Sequence, residues 1–249
     1  MKSRKSKRSG FTLVELLTVM VIISILAGMT VGAVTFAIAF INRAAISTEI
    51  KNMESALQNY KNKFGEYPPD NQAAVASHMR RCHRNSNQAN DPTGVNPQTA
   101  LVIFLSPRCA DPTKPFDASR FTSNTVELTE GCMDFDKSRL DTANKTYSPR
   151  NSTVPYVYFR CEYDNGRGTY ANKTVTNGAA PYFNDKNGTT DWYGDKTYQI
   201  MSAGLDNQFT GGDDVKNPNG IKRGDGSLKK NDLDNIVSFA PTSIKDLLE

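Results

Sequence analysis

Residues 16–41, LLTVMVIISILAGMTVGAVTFAIAFI, carry no charged side chain. As a helix rising about 1.5 Å per residue they span about 39 Å, more than the ~30 Å hydrocarbon core of a bilayer requires. A secretory signal peptide has an apolar region of only about 7–15 residues. The length therefore favours a membrane anchor, although Ala37-Ile38-Ala39 has the small-residue form of a cleavage site. An ordinary soluble cytoplasmic protein is excluded.

Charge supports the same reading. Of the 30 basic residues, Lys2, Arg4, Lys5, Lys7 and Arg8 lie in the first eight positions, which leaves 25 against 26 acidic residues beyond them. The overall +4 thus belongs to a basic leader. No later cluster interleaves cations with aromatic residues, so no nucleic-acid partner is expected. Cations before the apolar run and few just after it predict a single-pass protein with a cytoplasmic N-terminus.

Glu15 stands inside the apolar stretch, in Gly10-Phe11-Thr12-Leu13-Val14-Glu15-Leu16-Leu17. A carboxylate at membrane depth costs about 2–3 kcal/mol on insertion scales, which makes it a functional residue by default. At the cytoplasmic interface it would cost little. With the basic peptide before it and the apolar helix after it, the segment resembles the leader of type IV prepilins and pseudopilins. The resemblance implies cleavage between Gly10 and Phe11 by a prepilin peptidase, followed by N-methylation of Phe11. It further implies that Glu15 faces the terminal amine of a neighbouring subunit in a homo-oligomeric filament raised by an inner-membrane assembly platform. Such a pair acts as a register device more than as a source of stability.

Beyond the anchor, Ile46, Ile50, Met53, Leu57, Tyr60 and Phe64 recur at spacings of three and four. That is one apolar stripe of an amphipathic helix, expected to pack on the protein's own sheet. Gly65 and Pro68-Pro69 end it. The segment Gly65-Glu66-Tyr67-Pro68 is also similar to the helix exit of the major pseudopilins of type II secretion. Gly28 and Gly32 form a small-xxx-small pair, and many relatives carry Pro where Gly32 stands. Short helices are expected near 73–82 and 97–106, and strands at 156–163, 197–202 and 235–239. The fold class is α+β, a long N-terminal membrane-spanning helix packed on a small antiparallel sheet. The division is 1–10 leader, 11–41 transmembrane and assembly helix, 42–65 its amphipathic continuation, and 66–249 an extracytoplasmic, periplasmic head.

Cys82, Cys109, Cys132 and Cys161 all fall on the side of the membrane that can oxidise them. Four cysteines allow three pairings. Cys82–Cys109 with Cys132–Cys161 keeps each loop within one segment, and four free thiols are the alternative. His78 and His83 flank Cys82, but the spacing lacks the second close cysteine of a zinc site. The segment 202–234 is rich in oxygen ligands: Asp206, Asp213, Asp214, Asp225, Asp232 and Asp234, with Asn207, Asn217 and Asn219. It does not follow the EF-hand spacing. Tyr198 to Asp206 followed by Asp213-Asp214 resembles the calcium loop of major pseudopilins, which implies a Ca2+ ligand set of Asp206, Asp213, Asp214 and Asp234. The alternative is a solvated acidic loop.

No G-x-S-x-G, H-E-x-x-H or P-loop is present, so the expected role is structural and not enzymatic. The leading expectation is a type II secretion pseudopilus subunit. A type IV pilin or minor pilin, or a membrane-anchored extracytoplasmic binding protein, are the alternatives.

Overall fold

The structure, a computed structural model, describes residues 11–164, 167–171, 178–185, 190–215, 219–224, 226–241 and 243–248. Helix α1 (Leu13–Phe64) is 52 residues long. Contacts divide the chain into two units, one ending at Ile41 and the other running from Asn42.

In the first unit α1 is long and apolar enough to cross a membrane, and none of its most apolar window is buried. Its polar side chains are satisfied by the helix itself. Thr18, Ser24 and Thr30 donate their hydroxyls to the carbonyls of Val14, Met20 and Ala27, at 2.8, 2.8 and 2.9 Å. Thr35 does the same to Gly32 at 3.0 Å. This back-bonding leaves no hydroxyl seeking a partner in an apolar medium. A Cβ added at Gly28 or Gly32 would meet nothing within 4 Å.

In the second unit α1 buries the stripe read from its spacing. Ile46, Ile50, Met53, Leu57 and Tyr60 are buried, and Phe64 packs against them partly exposed. The helix stops where Gly65 takes φ +90° and its N–H donates to the Lys61 carbonyl at 2.7 Å. Left-handed backbone at this position is the ordinary glycine-based helix stop. Helix α2 (Gln72–Cys82) begins at Asn71, whose side chain accepts the Ala74 N–H at 2.9 Å. Helix α3 (Ala100–Leu105) is buried at every residue.

Among the described residues, eleven strands follow in chain order. They are β1 (Arg108–Cys109), β2 (Leu128–Thr129), β3 (Leu140–Asp141), β4 (Thr146–Tyr147), β5 (Val157–Asp164) and β6 (Arg167–Tyr170). The rest are β7 (Tyr182–Asn184), β8 (Asp191–Trp192), β9 (Tyr198–Ser202), β10 (Ile221–Arg223) and β11 (Ile236–Val237). The central sheet has the order β11-β9-β5-β6, all antiparallel. Its register sets Tyr158 opposite Ile200 and Val157 opposite Met201.

The pleat makes this sheet two-faced, because successive side chains point to opposite sides. Tyr156, Tyr158, Ile200 and Ile236 join the core of α1, α2 and α3. Val157, Phe159, Cys161, Met201 and Val237 join a second core with Tyr170, Tyr182, Phe209, Ile221 and Ile244. The α+β architecture is therefore the expected one. The second core, roofed by a smaller sheet of order β10-β7-β8, was not anticipated. Buried Gln199 ties the layers: it accepts the Tyr182 N–H at 2.7 Å and donates to the Tyr182 carbonyl at 2.8 Å.

Candidate functional site

The helix start brings Thr12 and Glu15 together. The Thr12 N–H and hydroxyl both donate to Glu15 Oε2 at 2.8 Å, while the Glu15 N–H donates to Thr12 Oγ1 at 3.2 Å. This reciprocal arrangement is a capping box, which satisfies two otherwise orphaned donors of the first turn. Its signal, Thr-x-x-Glu before an apolar run, is present in the sequence and was overlooked there. Phe11 is 85% exposed. From Leu13 to Ile41 every large apolar side chain is also exposed. Gly10 and the five leader cations lie outside the described residues.

The acidic segment is organised by cations and amides of the chain itself. Asp234 Oδ1 accepts from Arg43 at 2.8 and 3.2 Å, and its Oδ2 accepts the N–H of Leu205 at 2.6 Å and of Asp206 at 3.3 Å. Gly204 makes this corner possible: its φ is +69°, and a Cβ there would clash with the Asp234 carbonyl. Asp206 accepts the Gln208 N–H at 2.8 Å, and burial, with Asp234 nearby, raises its pKa. Asp214 pairs with Lys229 at 2.7 Å. Asp213 uses its backbone carbonyl, which accepts the Lys230 N–H. Asp232 is fully buried beside the Arg223 guanidinium. Asn217 and Asp225 lie outside the described residues.

All four cysteines are free thiols, so the expected pairs Cys82–Cys109 and Cys132–Cys161 are not formed. The reason is placement. Cys132 packs on the α1 face of the central sheet, whereas Cys161 belongs to the opposite face and donates its thiol to the Asp195 carbonyl at 2.8 Å. Cys82 turns instead to Glu66, 3.1 Å away.

That contact belongs to a polar cluster at the exit of α1. The exit segment is pinned along β5, where Tyr158 donates its hydroxyl to the Pro68 carbonyl at 2.9 Å and the Arg160 N–H donates to Asp70 at 3.2 Å. Glu66 is thereby held between Arg81 at 2.9 Å and Arg160 at 2.9 Å. Burial alone would raise the Glu66 pKa, but hydrogen bonds from Arg81, Cys82 and Arg160 outweigh it and hold the carboxyl at about 2. His78, fully buried on α2, places Nδ1 at 3.2 Å from Glu66 Oε1. Its Nε2 lies 2.8 Å from the Tyr60 hydroxyl, which also meets His83 Nε2 at 3.0 Å. Burial lowers both imidazoles, His78 to about 4 and His83 to about 3, so both are neutral near pH 7. Burial, with Glu66 beside it, pushes the Cys82 thiol up to about 12. Among the described residues, the side chains of this type that gather three ligand atoms within 4.8 Å are Glu66, His78 and Cys82.

Residues 5–39 match the family model described as the prokaryotic N-terminal methylation motif. No curated protein and no solved structure matches the chain. The match covers the second half of the basic leader and most of the apolar part of α1. It supports a type IV pilin-like protein whose leader a prepilin peptidase removes, and it fits membrane anchoring through α1.

Proposed function

We propose that the chain is a structural subunit of a type II secretion pseudopilus, built from copies of itself after its leader is cut behind Gly10. The observation that carries this reading is Glu15 at the head of an apolar helix segment whose large side chains from Leu13 to Ile41 are all exposed. In the single chain Glu15 is occupied by Thr12. Cleavage creates a new cationic amine at Phe11, one residue before that cap. In a filament the cationic amine of a neighbour competes for the same carboxylate and brings a full positive charge, where Thr12 offers only neutral donors. Assembly then trades lipid for neighbouring helices that are equally apolar, so extraction costs little. The exit Gly65-Glu66-Tyr67-Pro68 supports the secretion pseudopilus over the wider pilin class.

Two measurements test it. Mass spectrometry of the membrane-extracted protein should find a chain beginning at methylated Phe11; an intact Met1 in cells with an active prepilin peptidase would overturn the reading. Substitution at Glu15 separates charge from capping, because glutamine also serves in a capping box. Glu15→Gln should keep helix and membrane insertion yet lose filament formation as fully as Glu15→Ala. Wild-type filament yield from Glu15→Gln would remove the proposed role of the charge.

A further inference from the structure

We propose that Glu66, His78 and Cys82 form a binding site for one zinc-class divalent cation at the exit of α1. The three ligand atoms already lie within 4.8 Å of one another, two from α2 and one from the exit of α1. His78 and Cys82 are one turn apart on α2 and share a face. Glu66 comes from the other side of the turn that ends α1, held there by Arg81 and Arg160.

The imidazole is set for coordination by a relay behind it. A tyrosine hydroxyl has one proton, so it donates to only one of the two ring nitrogens it meets, and the other ring must donate to it. With His78 Nε2–H donating to Tyr60 and Tyr60 donating to His83, the Nδ1 lone pair of His78 points at the Glu66 carboxylate. In this tautomer two lone-pair groups face each other at 3.2 Å, an arrangement that a cation bound between them satisfies. A metal-bound histidine ordinarily donates its second nitrogen to an oxygen in this way. Without a metal the reverse relay places a proton on Nδ1 instead. Binding expels that proton from His78 as Nε2 takes the Tyr60 proton. His83 passes its Nε2 proton to Tyr60 and takes one up at Nδ1, so the two rings lose no net proton.

Ligand chemistry selects the ion. A thiolate, an imidazole and a carboxylate suit zinc, which accepts all three in a tetrahedral shell, and not calcium or magnesium, which take oxygen. Three protein ligands leave a fourth position for water. Binding displaces the Cys82 thiol proton to solvent as the metal–sulfur bond forms. The two arginines oppose the added positive charge, so a site here needs a metal that binds thiolate strongly. Access is open on both sides: Cys82 lines a cavity of about 550 Å³ with Phe64 and Arg108, and Glu66 lines one of about 410 Å³ with Ser77 and Arg160.

The test uses the full chain in detergent, stripped with chelator and titrated with cobalt(II) as a spectroscopic stand-in for zinc. One equivalent should bind with a thiolate-to-cobalt charge-transfer band that zinc then abolishes. Cys82→Ser should lose the band, while Cys109→Ser and Cys132→Ser keep it. Tyr60→Phe should weaken binding about 10–100-fold, the usual effect of removing a group that orients a ligand. In the wild-type protein, zinc should protect Cys82 from alkylation and leave Cys161 unprotected. Absence of the band, its survival in Cys82→Ser, or unchanged alkylation of wild-type Cys82 with zinc would each overturn the site.

Discussion

Glu49 shows how one charged side chain on α1 is used to fix the head. Its carboxylate accepts from the Tyr156 hydroxyl at 2.6 Å and from Arg139 at 2.9 Å, and Arg139 also meets the Tyr147 hydroxyl. Removing one member of a partly buried network leaves the others desolvated and unpaired. Glu49→Ala should therefore lower unfolding stability by about 2 kcal/mol, read from urea unfolding. Arg43 does comparable work at the acidic corner, where it takes the Asp234 oxygen that a calcium ion would need. We propose that calcium binds at Asp206, Asp213, Asp214 and Asp234 only by displacing this guanidinium and drawing together carboxylates of which no three lie within 4.8 Å of one another in the described structure. Thermal unfolding with calcium and with chelator should then differ more in Arg43→Gln than in the wild type. Equal midpoints in both proteins would leave the segment a hydrogen-bonded acidic loop.

At the scale of elements, α1 carries two different surfaces on one helix. Leu57 is fully buried against the head, whereas Leu26 is 57% exposed. Leu57→Ala should cost about 2–5 kcal/mol of head stability, the range for emptying a packed core position. Leu26→Ala should leave unfolding of the head unchanged and act only on filament formation. The buried stripe was legible because a period of 3.6 residues selects one face, and β5 was legible because aromatic and β-branched residues cluster at 156–163. The second core was not, because the strands of the sheet that roofs it, β7, β8 and β10, are two or three residues long and held by distant side chains. Gln199 stands in for a ladder by bonding both backbone groups of Tyr182, and no local pattern announces that. The Glu66 cluster was missed for a related reason. Its spacing lacked a second cysteine near Cys82, and the third ligand arrives from within the turn at Gly65–Pro69, where sequence separation hides proximity.

For the whole molecule, the distribution of buried residues separates stability from assembly. Every residue of both hydrophobic cores lies at Ile46 or beyond, and the unit from Asn42 contains them all. The helix before it presents Phe11, Leu13, Leu17, Ile22, Leu26 and Phe36 with more than half of each side chain accessible. A surface of that size and apolarity does not persist in water and must be covered by lipid or by other chains. The head, by contrast, has its polar and apolar groups arranged for solvent. A fragment of residues 42–249 should therefore be soluble without detergent and unfold at the midpoint of the intact protein's head. Loss of residues 11–41 removes no core contact, so it should change neither the near-ultraviolet circular dichroism nor the cooperativity of unfolding. A fragment that binds hydrophobic dye and unfolds without a transition would mean that the membrane-side helix contributes to the stability of the head. Complementation is the other half of the same experiment: the soluble fragment should fail to form filaments at any concentration, because its folded head lacks both Glu15 and the apolar surface that a neighbour must cover.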